Sequence, residues 1–271
     1  MYIYTSQEPI TVNVALTPVE LAAFEHLGVE LSLIGEIVNF ESKCASYFLS
    51  KRVELLKEGA LSKPTSIVHS FRGVDFVYES YNGEHFSVMY YIQVRITRKV
   101  FSSVKVFNKY FIVQHVQDVP LIIGNCRMEI GMSDKLHMEY ELFENKFHLN
   151  DVITGRLFFR EVLTKIRNIE IVLLRKERVR TLKSGEREDT MNDVMNFDYC
   201  VVGTSEACDG QPMGGDVIPF RMYLKGRGLS PTVKRGEFFS VNYYVKIQVV
   251  LENEKVLYKN QEIVLWRKEY G

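Results

Sequence analysis

A chain of 271 residues exceeds one ordinary β-sandwich and is comfortable for two domains of roughly 100 to 150 residues each. Hydrophobic residues make up 46% and charged residues 25%, which supplies two cores and leaves no low-complexity tract. Lys plus Arg and Asp plus Glu both number 34, so no global field draws the molecule to nucleic acid or to an acidic membrane.

The N-terminal segment, Met1 to Pro9, lacks the basic and apolar regions of a signal peptide, and no stretch approaches about 18 uninterrupted apolar residues. The first strand-like segment is Ile10 to Leu16, followed by Val29 to Ile34. Arg52 to Leu61 is the one helix-like stretch, short and ambiguous. From Val88 to Thr97, Tyr90, Ile92, Val94 and Ile96 alternate with more polar positions, the pattern of a half-buried strand; Lys105 to Gln114 is also strand-like. Arg127 to Met132 predicts a short strand, and the turn residues after it place a domain boundary near Met132.

Leu136 to Phe143 opens a second set of strands. Ile153 to Phe159 resembles Ile10 to Leu16, Ile169 to Leu174 resembles Val29 to Ile34, and Val241 to Val250 matches Val88 to Thr97 face for face. The three pairs occur in the same order, at separations that drift by no more than a loop's length. The expectation is an all-β chain of two tandem sandwiches related by internal duplication, spanning 1–132 and 133–271. Arg180 to Asn196, charged with both signs and poor in apolar residues, predicts a mobile loop between strands. Gln261 to Trp266 closes the series as a further strand.

No catalytic constellation stands out. The six histidines are scattered without metal-ligand spacing. The cysteines Cys44, Cys126, Cys200 and Cys208 form no C-x-x-C pair and read as reduced thiols of a cytosolic protein. Gly226-Arg-Gly228 and Gly214-Gly215 read as turns, since neither opens a phosphate-cradling helix. Glu139 and Glu141 share one strand face, as an acid and base pair could, but solvated sheet-face residues explain them far better. Cys208 beside Asp209 has the residue types of a nucleophile site, but it reads as an ordinary cysteine in a turn. No cofactor and no metal is implied, and binding rather than catalysis remains.

The stretch Leu136-His-Met-Glu-Tyr140, followed by Lys146-Phe-His-Leu-Asn-Asp-Val-Ile-Thr-Gly155, resembles the arrestin-like subunit of retromer, the vacuolar protein sorting-associated protein 26 family. Tyr78 to Gly83, Ile218 to Leu224, Phe239 to Tyr244 and the ending Gln261-Glu-Ile-Val-Leu-Trp-Arg-Lys268 continue the resemblance in family order. It implies an arrestin-like pair of sandwiches. The implied partners are an α-solenoid scaffold subunit, a sorting nexin and the cytosolic tails of transmembrane cargo. The implied location is the cytosolic face of endosomes, with only indirect membrane attachment.

The resemblance also carries site residues. A cargo tail added as a strand would lie near Ile130 and Tyr258, where the family has a small aliphatic residue and a Phe. The scaffold contact maps onto Val201, Val202, Asp209, Gly210 and Pro212, split by an insertion, with Ala207 and Cys208 as the other choice of apolar anchor. The family has a further N-terminal strand before the region matched by Met1 to Tyr4, and without it a sheet edge of the first domain is left unpaired. The alternatives are an arrestin-like subunit of a related retriever-type complex and, from a different class, a carbohydrate-binding or hydrolytic sandwich. Having Trp266 as the one tryptophan weakens the last of these.

Overall fold

The computed structural model describes residues 3–4, 9–18, 24–99, 103–116, 123–180, 194–234 and 236–268. The chain divides into two compact units, Met1–His115 and Val116–Gly271.

In the first unit, β1 (Ile3–Tyr4) runs parallel to β8 (Val104–Val113), followed across the sheet by β7 (Phe86–Arg98), β3 (Phe24–Asn39) and β4 (Ala45–Leu61). The short β6 (Tyr81–Asn82) also pairs with β7, and β2 (Ile10–Leu16) pairs with β5 (Thr65–Phe71) in a separate two-stranded sheet. Residues of both sheets are buried: Val29, Leu31, Leu33 and Phe86 from one, Ile10, Val14 and Phe71 from the other. Tyr90 is at the centre, fully buried, edge-on to Phe76 and Phe48, with its hydroxyl donating to the Tyr78 carbonyl at 2.7 Å. Removal from water pushes this phenol well above its ordinary range, so it stays a donor.

The second unit opens with the hairpin β9 (Cys126–Met132) and β10 (Leu136–Leu142), whose turn holds Asp134 at φ 59°. After β11 (Lys146–His148) come β12 (Val152–Val162), β13 (Ile166–Arg180), β14 (Val194–Asp209), β15 (Val217–Tyr223), β16 (Phe239–Leu251) and β17 (Val256–Trp266). They form one sheet ordered β15-β12-β10-β9 and another ordered β11-β17-β16-β13-β14. On β16, Tyr243, Val245, Ile247 and Val249 are fully buried while Asn242, Tyr244, Lys246 and Gln248 are half-buried, the alternation expected of a strand with one face in the core.

The duplication is visible in the ladders. In the first unit β2 pairs β5, β3 lies between β4 and β7, and β8 takes β1 in parallel; in the second, β12 pairs β15, β13 lies between β14 and β16, and β17 takes β11 in parallel. The registers also agree. Leu31 faces Val94, and their sequence counterparts Ile171 and Ile247 face each other.

Three expectations change. The boundary near Met132 falls inside the β9–β10 hairpin, because β9 is fully laddered to β10 and belongs to the second unit. Arg52 to Leu61 is not helical but the second half of β4, where pairing with β3 from Arg52↔Ser32 to Leu61↔Phe24 overrides the local ambiguity. Of the predicted loop, Arg180 and Val194 to Asn196 are strand residues, and 181–193 lie outside the described residues, as do Met1 and Tyr2 of the N-terminal match.

Candidate functional site

No group of histidine, cysteine and carboxylate side chains able to hold a metal occurs among the described residues. Glu139 and Glu141 do share the outer face of β10, but arginines hold both. Arg160 Nε donates to Glu139 at 2.9 Å, Arg127 donates to the same carboxylate, and Arg156 Nε donates to Glu141 at 2.8 Å. These hydrogen bonds keep both carboxyls below their usual range, the opposite of a poised general acid. Burial, aided by Asp209 and Glu206, pushes the Cys208 thiol up, away from an activated nucleophile.

Three strand edges carry the residues that the sequence singles out. β9 is the terminal strand of its sheet, and β17 pairs with β11 only through Val264–Trp266, so Val256 to Glu262 also has a free side among the described residues. The two edges lie side by side, antiparallel, and are fastened at both ends. Cys126 Sγ is 2.9 Å from Gln261 Oε1 at one end, and Lys255 Nζ is 3.3 Å from Met132 Sδ at the other. Ile130 and Tyr258 fall between these fastenings, so the fold does bring them onto adjacent strands.

Their environments differ. Ile130 is 5% exposed and faces the buried Met138 across the β9–β10 ladder, whereas Tyr258 is 59% exposed with the Lys246 ammonium 4.7 Å from its ring centre. Ile130 is therefore a core residue in this state, and what β9 offers a ligand is its unpaired backbone.

The other edge is β14, which among the described residues pairs only with β13. Val201 faces Leu174 and Cys208 faces Ile169, and the ladder shifts at two bulges that leave Val202 and Ala207 without a direct opposite. Val201 is 59% exposed; two residues earlier, Tyr199 lies edge-on to Tyr244 with the Lys176 ammonium 5.1 Å from its ring centre. At the far end of the strand, Asp209 is exposed, Gly210 turns the chain at φ 106°, and Pro212 is buried. Gln211 fixes that turn by accepting from the Ile166 N–H at 2.8 Å.

Along an extended strand Val201 and Asp209 stand roughly 26 Å apart. The structure thus does not gather the predicted scaffold residues into one spot; it strings them along a single edge. The basic recess described below was not found from sequence, because its cations come from segments far apart in the chain.

The chain matches the family model for vacuolar protein sorting-associated protein 26 over residues 1–254. It belongs to that family. A Plasmodium falciparum (isolate 3D7) protein named vacuolar protein sorting-associated protein 26 is 34% identical over 263 residues, covering 96% of this chain and 84% of that protein. The 26B-A protein of Xenopus laevis and the 26B protein of Homo sapiens are each 32% identical over 246 residues, 90% of this chain, and are covered to 69% and 70%. Membership of the vacuolar protein sorting-associated protein 26 family accounts for the all-β, arrestin-like architecture and for a role in retromer-linked endosomal protein sorting. It is a family of sorting adaptors rather than enzymes.

Proposed function

We propose that this chain is the arrestin-like adaptor of a retromer coat, docking on an α-solenoid scaffold subunit through β14 and presenting β9 and β17 to a cargo tail and a sorting nexin. The observation that carries the reading is the presence, in the second unit, of strand edges left unpaired among the described residues at both of the positions that family resemblance assigns to partners. On β14, Val201 and the half-buried Val202 supply apolar surface at one end, and Asp209 supplies an exposed charge at the other. Gly210 and the buried Pro212 shape the turn rather than touch the partner. Beside the β9 edge, an extended peptide would use backbone hydrogen bonds, with Tyr258 as an exposed wall for its side chains. Such an adaptor works on the cytosolic face of endosomes, retrieving cargo to the Golgi or the cell surface.

Titration calorimetry against the N-terminal part of the same organism's scaffold subunit tests the first contact. One-to-one binding is expected, weakened roughly tenfold or more by Val201→Asp with Val202→Asp, because charge at a desolvated interface is costly. Unchanged affinity in the folded double variant would sink the β14 assignment. For the second contact, Tyr258→Ala should spare scaffold binding and reduce capture of a cargo tail in the presence of a sorting nexin. Ile130→Asp is unsuitable here, since it would place a carboxylate in the core.

A further inference from the structure

Arg178 and Arg180 stand two residues apart near the end of β13 and so project from the same face of the sheet. Ser240 of β16 lies opposite Arg178, and the Arg180 backbone N–H donates to the Phe238 carbonyl at 2.7 Å, so the backbone around both is fixed by pairing. The two arginines, with Lys234 and Glu237, line a recess of about 190 Å³.

Charge in this recess is not balanced. Four other arginines of the second unit pair with carboxylates: Arg127 and Arg160 with Glu139, Arg156 with Glu141, and Arg175 with Glu177. Neither Arg178 nor Arg180 has a hydrogen-bonding or ion-pair partner for its guanidinium among the described residues. Lys234 is held by Glu262 at 3.0 Å, and Glu237 is the one acid in the lining, so two cations remain free to serve a ligand. The zero net charge of the chain means that any anion drawn here is drawn locally.

We propose that this recess binds a phosphomonoester group. Two guanidinium forks on adjacent same-face positions match the oxygens of a phosphate, with Lys234 adding a point charge to the lining. A volume well below the ~300 Å³ of the smallest ordinary ligand pockets suits a single tetrahedral anion rather than a whole cofactor. The phosphate can come from a soluble phosphoester or from a lipid headgroup, and the recognition chemistry is the same.

The test uses the full chain with its arginine side-chain N–H resonances observed by NMR, titrated with inorganic phosphate and with soluble inositol 1-phosphate. In parallel, phosphatidylcholine vesicles with and without a phosphatidylinositol monophosphate are sedimented with the protein. Saturable shifts of the Arg178 and Arg180 signals are expected in the unaltered chain and in Lys165→Gln, a solvated cation just before β13 held by Glu252, and the affinity, followed in every variant through the backbone amides of Phe239 and Ser240, should fall roughly tenfold or more in Arg178→Gln with Arg180→Gln. Arg178→Gln alone should show an intermediate loss and serves if the double variant misfolds. Binding of the soluble ester assigns the ligand to solution; binding only to phosphate-bearing vesicles, lost in the double variant, assigns it to a lipid, and either upholds the recess. Binding to neither, or equal loss in Lys165→Gln, overturns it.

Discussion

Tyr90 and Tyr243 occupy equivalent places on β7 and β16, both fully buried, and each sends its hydroxyl to a loop: Tyr90 to the Tyr78 carbonyl, Tyr243 to Ser230 at 3.2 Å. The sequence shows them as matched core positions, since both sit on the apolar phase of an alternating strand. It gives no sign that Tyr91, on the opposite phase, is also buried, because that depends on the tertiary pairing of its hydroxyl with Glu36 Oε2 at 3.2 Å. Tyr90→Phe and Tyr243→Phe should each cost about 1 kcal/mol, more where the partner left behind is dry, as read from urea unfolding. A larger effect is expected at Glu177. Its side chain is 1% exposed, and Arg175 Nε lies 2.9 Å from its carboxylate, in a place where the first unit has Gly35. Glu177→Ala strands a largely buried cation and should cost about 3 to 5 kcal/mol, whereas loss of under about 1 kcal/mol would mean that Arg175 reaches water.

At the scale of elements, the stretches that carry the family resemblance turn out to meet one another. His148 of β11 pairs in parallel with Trp266 of β17, the Leu149 N–H donates to the Trp266 carbonyl at 3.1 Å, and the His148 and Trp266 rings lie 5.6 Å apart, edge to face. Asp151 ties the loop by accepting from the His148 N–H at 2.6 Å, and Gly155 is required because a Cβ there would collide with the Glu141 carbonyl and the Phe220 ring. These motifs are legible in the sequence because they build the fold. The docking edges are less legible, since an unpaired edge is a property of the whole sheet rather than of the strand that forms it. Burial, with Lys268 and Arg267 nearby and against the pull of Asp151, lowers the His148 pKa. Its unfolded form binds a proton more readily than its folded form. The stability it contributes is therefore complete above about pH 6.5 and is lost as pH falls toward the folded value. Urea titrations across that window should show stability falling with acid, and His148→Gln should flatten the slope; an unaltered slope would assign the acid sensitivity to other groups.

For the molecule as a whole, the repeat was readable because three strand pairs keep their order and phase, and the ladders confirm it down to Leu31–Val94 and Ile171–Ile247. The boundary was not readable, since Ser133 and Asp134 have the chemistry of a linker while forming a hairpin turn. That hairpin is also where the two repeats part. β12 lies between β10 and β15, but its counterpart β2 is paired only with β5 among the described residues. A strand paired on one side leaves a row of amides open to solvent or to another chain, and it opens at lower free energy than a strand laddered on both sides. Native-state hydrogen exchange should accordingly release the amides of Ile10 to Leu16 well before those of Val152 to Val162. Concentration should slow the exchange of β2 if that edge associates with a second copy and leave it unaffected if the edge stays solvated. Protection of β2 equal to that of β12 in dilute solution would show that its edge is covered within the chain, and the asymmetry between the repeats would then lie elsewhere.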